Sequence, residues 1–136
     1  MTNAWSDLGD YTNLPRLGSL AISPQGRVLV SVAHRNRERT GYRSSWWELD
    51  PEGQRPARRL IRSEEGESFG AFTADEDFLF GSKRPVPGTD ETKPDEDDGV
   101  VWLLPAEGGE AHPVARRSGG FSGVVAATGS RTVIAR

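Results

Sequence analysis

Three observations in the sequence predict an all-β fold. Apolar residues come in short runs of strand length, rich in β-branched and aromatic side chains, and a helical period never holds for long. Turn formers separate the runs, as in Pro24-Gln25-Gly26 and in DPEGQRP at 50–56. The same pattern then returns about fifty residues later. A repeat of roughly 40–55 residues carrying four strands is the mark of a β-propeller blade. The predicted architecture is an incomplete β-propeller of about two and a half four-stranded antiparallel blades.

In the first unit the four runs are Leu17–Ile22, Arg27–Ala33, Trp46–Asp50 and Arg58–Arg62. The second unit lies on the first in register. TADEDFLF at 73–80 aligns with SPQGRVLV at 23–30, an offset of 50. WLLPAEG at 102–108 aligns with WELDPEG at 47–53, and AHPVAR at 111–116 with ARRLIR at 57–62. The offsets differ because the loop before the third strand is longer in the second copy. A third copy starts as GVVAATGSRTVIAR at 123–136 and supplies only two strands. The expected organisation is an N-terminal arm (1–16), blade 1 (17–63), blade 2 (64–118) and the start of blade 3 (119–136). A propeller closes with roughly 4–8 blades, so the remainder is expected on another chain or cut away.

Blades bury both faces against their neighbours, which accounts for VWLL at 101–104. There Val101 and Leu103 point opposite to Trp102 and Leu104. Trp47 and Trp102, at matched positions, are expected to pack between blades.

Composition bounds the function. The net charge of −3 argues against a protein built to coat nucleic acid. With no Cys, disulfides, thiolate metal sites and a Cys nucleophile are all excluded. The first residues, MTNAWSDLGDYTNLPRLG, read as neither a signal peptide nor a membrane span. A cytoplasmic protein is expected.

The hairpin SPQGRVLVSV at 23–32 resembles the Ser-Pro-Asp-Gly-Arg blade hairpin of periplasmic TolB-like proteins and of the prolyl oligopeptidase family. The second unit is more specific. Residues 80–124, FGSKRPVPGTDETKPDEDDGVVWLLPAEGGEAHPVARRSGGFSGV, are similar to the propeller of bacterial acylaminoacyl-peptidase and dipeptidyl-aminopeptidase-like serine peptidases. There a Ser-Lys-Arg-Pro strand end leads into an acidic loop and then LWLLPA-GGEA. LPRLGSLAISPQG at 14–26 also resembles the beginning of the first blade in that group. The likeness covers most of residues 11–136. It implies a propeller that caps an α/β-hydrolase domain, admits peptides by size, and leaves cleavage to a Ser-Asp-His triad on that domain. Two turns depart from the family pattern: Gln25 replaces Asp, and Ala74-Asp75-Glu76 replaces Pro-Asp-Gly. A hairpin tolerates both.

The residues present offer no catalytic set. Around Ser122, GFSGV has the first Gly of a nucleophile elbow but Val124 in place of the second, so a turn is expected there. His34 neighbours Arg35, and His112 precedes Pro113; neither forms part of a triad pattern. No metal or cofactor site is expected. The acidic stretch DETKPDEDD at 90–98 fails the calcium-loop register, since Pro94 falls on the first ligand position. The basic stretch HRNRERTGYR at 34–43 reads as a long hairpin loop. Both loops leave a blade on the same side. Arg35, Arg37, Arg39 and Arg43, with Asp95, Asp97 and Asp98, are therefore the candidate substrate-steering or interface residues. The expected partners are the remaining blades, the hydrolase domain and its peptide substrates, with no nucleic acid and no membrane. The alternative is a non-catalytic TolB-like module that binds a protein or peptide.

The composition of residues 88–98, with its Pro, Gly and carboxylates and no apolar anchor, predicts a solvated surface loop. Limited proteolysis followed by mass spectrometry should find the earliest cut there. A first cut elsewhere, with 88–98 intact, would contradict this.

Overall fold

The computed structural model describes residues 7–88 and 98–136. Among these residues ten strands form three antiparallel sheets in chain order. Sheet 1 holds β1 (Arg16–Ile22), β2 (Val28–Arg35), β3 (Tyr42–Leu49) and β4 (Arg58–Arg59). Sheet 2 holds β5 (Gly70–Phe72), β6 (Phe78–Gly81), β7 (Asp98–Leu104) and β8 (His112–Ser118). Sheet 3 pairs β9 (Val124–Ala126) with β10 (Val133–Ala135). One short helix, α1 (Leu8–Asn13), precedes them, its first turn capped by Asp7, which accepts from the Gly9 N–H at 2.7 Å. Among the described residues no helix is long and apolar enough to cross a membrane.

The first two hairpins share one hydrogen-bond plan. In the β1–β2 turn the Ser23 N–H donates to the Arg27 carbonyl, the Gly26 N–H to the Ser23 carbonyl, and the Arg27 N–H to the Ser23 hydroxyl, each at 2.9 Å. Fifty residues on, Thr73, Glu76 and Asp77 make the same three bonds at 2.8, 3.2 and 3.1 Å. Gly26 takes φ of 89° and Glu76, its counterpart, φ of 70°. A left-handed backbone costs a non-Gly residue roughly 1–2 kcal/mol. The Glu76 side chain makes a bond that Gly26 cannot: its Oε1 accepts from the Gln25 N–H at 2.7 Å, while its Oε2 is buried without a protein partner. The turn of sheet 2 is thus tied to the turn of sheet 1. Arg131, in the β9–β10 turn, reaches back in the same way to Asp75 at 2.8 Å.

Two element bounds differ from the sequence expectation. The basic loop shrinks to a turn over 36–41, because Tyr42 and Arg43 pair with Arg35 and His34 and extend β3. The Asn36 side chain closes that turn, its Oδ1 accepting from the N–H groups of Thr40 (2.9 Å) and Gly41 (3.2 Å). β4 covers only Arg58 and Arg59 of the expected run over 58–62. Beyond it the chain leaves the ladder after one more bond, from the Leu60 N–H to the Trp46 carbonyl at 2.8 Å.

The core lies in the seams between sheets. In the first seam Ala21, Leu29, Trp46 and Ile61 of the first unit meet Phe72, Phe78, Phe80, Val100 and Trp102 of sheet 2. The Trp46 ring stands edge-on to Phe78 with centroids 5.1 Å apart. In the second seam Leu79 and Val101, on the opposite face of sheet 2, meet Val124 with Phe69, Leu103, Phe121 and Ala135 around them. Sheet 2 is buried on both sides, as the alternation in VWLL requires.

Register shows which Trp does what. Trp47 pairs with Val30, and Trp102 pairs with Phe80, so the two are counterparts. Trp102 is buried against sheet 1, but Trp47 is half-buried, because no sheet covers its face of sheet 1 among the described residues. Trp46, one residue earlier, fills the seam instead.

Replacing Trp46 or Trp102 by Ala should therefore cost roughly 3–5 kcal/mol of unfolding free energy, and Trp47→Ala clearly less. Urea denaturation of the three variants gives the order; a Trp47 effect as large as the other two would show that its face is covered.

Candidate functional site

The polar groups collect at the end of the sheets where β2 turns into β3. A cleft of about 650 Å³ opens there on sheet 1. His34, Arg35, Arg37, Arg43 and Arg59 line it, against Glu38, Glu64 and Glu65. A second cleft of about 520 Å³ adjoins it and shares Asn36, Arg43, Ser44, Glu65 and Gly66. Its far wall comes from Lys83, Asp98, Gly99 and Phe121, so sheets 1 and 2 and the crossing segment that leads to sheet 3 all contribute.

The predicted arginines divide between bracing and lining. Arg35 is a brace: its guanidinium donates to the Arg39 carbonyl at 2.7 Å and to the Thr12 hydroxyl at 3.3 Å, which ties α1 to the hairpin. Arg39 sits in the turn with φ of 58° and lines neither cleft. Arg37 lines the larger cleft. Arg43 lines both and meets Glu65 at 3.4 Å. Asp98 is held across the strands by Arg116, whose Nη2 and Nε lie 2.6 and 3.1 Å from one carboxylate oxygen. That pairing satisfies Asp98 within its own sheet. Asp95 and Asp97 lie outside the described residues.

Ser122 precedes β9, and its hydroxyl donates to the Arg136 carbonyl at 3.0 Å, closing the end of sheet 3. His112 is exposed on β8 opposite Leu103, and His34 borders the larger cleft. Among the described residues no three His, Asp or Glu side chains are grouped as metal ligands.

Sequence reasoning missed the most unusual group, Glu67. Its residue is only 3% exposed, and it sits on the segment that crosses from sheet 1 to sheet 2. The Glu67 N–H donates to the Ser44 carbonyl at 2.8 Å, and its Oε2 accepts from the Trp46 N–H at 3.3 Å. It takes over the edge of β3 where β4 leaves off. Its Oε1 and the Nε of nearby Arg59 are both buried without a protein partner, a cost of order 1–3 kcal/mol each unless water bridges them. Burial pushes the Glu67 carboxyl up to about 7, against the pull of Arg59, the Trp46 N–H and Arg84. The Arg84 Cζ stands over Trp102, 3.9 Å from the ring centroid, and burial lowers the pKa of its guanidinium against the attraction of Glu67 and Glu110.

One sequence signal could have found Glu67. Gly66 and Gly120, both with positive φ, occupy equivalent crossings onto Ser44 and Gly99. Phe121 then stands where Glu67 does. A carboxyl occupies a place that the next copy fills with an aromatic ring. The site as a whole offers recognition: guanidinium groups around a cleft hold carboxylates through paired N–H bonds. Neither a scan against protein-family models nor a search of the curated proteins finds a match to this chain.

The raised Glu67 carboxyl sets a pH dependence. A group whose folded pKa of about 7 exceeds its ordinary 4.5 favours folding most when protonated. Its contribution is complete below the unfolded value and lost as pH rises through the folded one. The unfolding free energy should fall by on the order of 2 kcal/mol between about pH 5 and about pH 8 relative to Glu67→Gln. Parallel urea titrations of the two proteins measure it; identical profiles would rule Glu67 out as the cause.

Proposed function

We propose that the chain is the N-terminal β-propeller segment of a prolyl-oligopeptidase-family serine peptidase of the acylaminoacyl-peptidase type. In this role it gates peptide access to an α/β-hydrolase domain located outside these residues, and carries no catalytic residue itself. The observation that carries the proposal is the uncovered face of sheet 1. Leu20, Ile22 and the half-buried Trp47 lie on it around Val30, which is itself buried, and Leu20 and Ile22 are each 61% exposed. Ile22, Val30 and Trp47 hold the register positions that sheet 2 buries against sheet 1 through Phe72, Phe80 and Trp102. Face-to-face stacking with an apolar face left open is what a propeller needs in order to receive further blades. The family comes from the likeness of residues 80–124 and of the first hairpin. The cationic cleft beside this face suits the steering of peptide carboxylates. The partners are the remaining blades, the hydrolase domain and peptides, with no role for nucleic acid or membrane, and the compartment is the cytoplasm.

The same open face also favours a second reading, a non-catalytic TolB-like module whose uncovered sheet binds a protein or peptide. Activity separates the two. The chain alone should hydrolyse neither peptide nor acyl-amino-acid substrates. Supplied with the rest of the propeller and the hydrolase domain, it should yield a peptidase whose turnover Ser122→Ala leaves nearly unchanged. A serine-directed fluorophosphonate should label the hydrolase chain only. Label on this chain would overturn the assignment, and a complete complex without activity would favour the second reading.

A further inference from the structure

Two crossings carry the chain from one sheet to the next, and they hold on by different means. The second passes through Gly120 and Phe121, and the Phe121 ring packs into the apolar seam between sheets 2 and 3. The first, over 63–68, passes through Gly66 and Glu67. Gly66 has φ of 79°, and a Cβ there would stand 3.0 Å from the Ser44 carbonyl oxygen, so the segment lies tight on β3. It bonds to the backbone of β3 through Glu67, whose N–H donates to the Ser44 carbonyl and whose Oε2 accepts from the Trp46 N–H. On the other side the Ser82 hydroxyl donates to the Gly66 carbonyl, and the Ser68 N–H to the Gly81 carbonyl, each at 2.8 Å.

The grip of the first crossing therefore depends on the state of one carboxyl. Three groups face it: Arg59 from β4, the Trp46 N–H from β3, and Arg84 from the stretch after β6. Around these, Arg43 meets Glu65, Asp98 meets Arg116, Glu110 attracts Arg84, and Lys83 shares the adjoining cleft. Arg59 pulls on Glu67, yet its Nε and the Glu67 Oε1 both stay buried without a partner. A neutral carboxyl tolerates such a place far better than a carboxylate does. The cleft of about 520 Å³ has Glu65, Gly66, Glu67 and Ser68 in its wall, so the segment has room to move.

We propose that residues 63–68 form a strap over the first seam, latched while Glu67 is neutral and released when it ionises. Release breaks both Glu67 bonds and frees the Ser44 carbonyl and the Trp46 N–H at the edge of β3. It also loosens the bond from the Trp46 indole to the Ser68 carbonyl, so the buried ring becomes reachable from the cleft. The latched carboxyl keeps its proton up to about 7, whereas the released one gives it up at its ordinary 4.5. Between those values release sheds a proton. The opening equilibrium therefore rises by up to about tenfold per pH unit there and levels off above the folded value. The seam is closed in acid and opens toward neutral pH. The inference goes beyond either reading of the function and needs neither, since it uses only the crossing and the two sheets it joins.

The test is residue-resolved hydrogen exchange on the full chain, corrected for the intrinsic rate at each pH. The Glu67 and Trp46 amides report the strap, and the Phe80 and Trp102 amides report the ladders of sheet 2. Strap release is local, so the first pair should exchange ahead of the second and respond little to low urea. Opening at the strap amides should rise about thirtyfold or more between about pH 5 and about pH 7. Glu67→Gln should flatten that rise, and His34→Asn, which alters the other group titrating near this end, should leave it intact. A flat profile in the unaltered chain would overturn the proposal. So would strap amides that exchange only together with Phe80 and Trp102, with the same response to urea. A rise that survives Glu67→Gln, or one that His34→Asn removes, would assign the proton elsewhere and overturn it too. Should Glu67→Gln not fold, the unaltered chain and the His34 variant still decide the matter.

Discussion

A β-sheet with apolar side chains on both faces has to be covered twice, and most of this structure follows from that constraint. Sheet 2 satisfies it, with the Phe78, Phe80 and Trp102 face against sheet 1 and the Leu79 and Val101 face against sheet 3. At roughly 25 cal/mol per Å² of apolar surface, these buried aromatic rings outweigh any exposed ion pair in the chain. Trp46 is the hinge of the arrangement. Its ring fills the first seam, its indole N–H donates to the Ser68 carbonyl at 2.9 Å, and its backbone holds both Leu60 and Glu67. One residue thereby fixes the core, the exit of the chain from sheet 1 and its arrival at sheet 2.

Glu67 shows where packing yields to something else. Its counterpart Phe121 packs as an apolar ring, whereas Glu67 brings a carboxyl into the seam between Arg59 and Arg84. A buried charge group retained where an aromatic ring would serve the fold costs stability. It also couples the crossing segment to the two arginines, and through Arg84 to the face of Trp102. The polar end of the molecule is thus coupled to its core by electrostatic attraction.

Much of this was legible in the sequence, for physical reasons. Turn residues and strand-length runs located the hairpins, and the offset of 50 between SPQGRVLV and TADEDFLF reappears as the same hydrogen bonds. The alternation in VWLL gave the two buried faces of β7. Other features depend on what lies across a seam, and local pattern cannot report that. Trp46 and Trp47 are adjacent and chemically identical, and only the presence of a neighbouring sheet decides which is inside. The run of arginines read as an open loop because the cross-strand pairing of Tyr42 and Arg43 is not encoded by charge. Arg35 proved to be a brace for the same reason: its partners, Thr12 and the Arg39 carbonyl, are brought to it by the fold. Among Glu64, Glu65 and Glu67 the local composition does not mark the one that is buried, and only its register with Phe121 after the matching Gly66 and Gly120 sets Glu67 apart.

The links between hairpin turns have a bearing on how such a chain diverges after internal duplication. The first joins a backbone amide to the carboxyl of Glu76, and the second joins Asp75 to the guanidinium of Arg131. The latter pair is largely exposed and adds little energy. The two joints nevertheless use different chemistry, so a unit transplanted from one place to another would meet the wrong group at its border. The order of the units along the chain is thereby marked at their edges as well as in their cores.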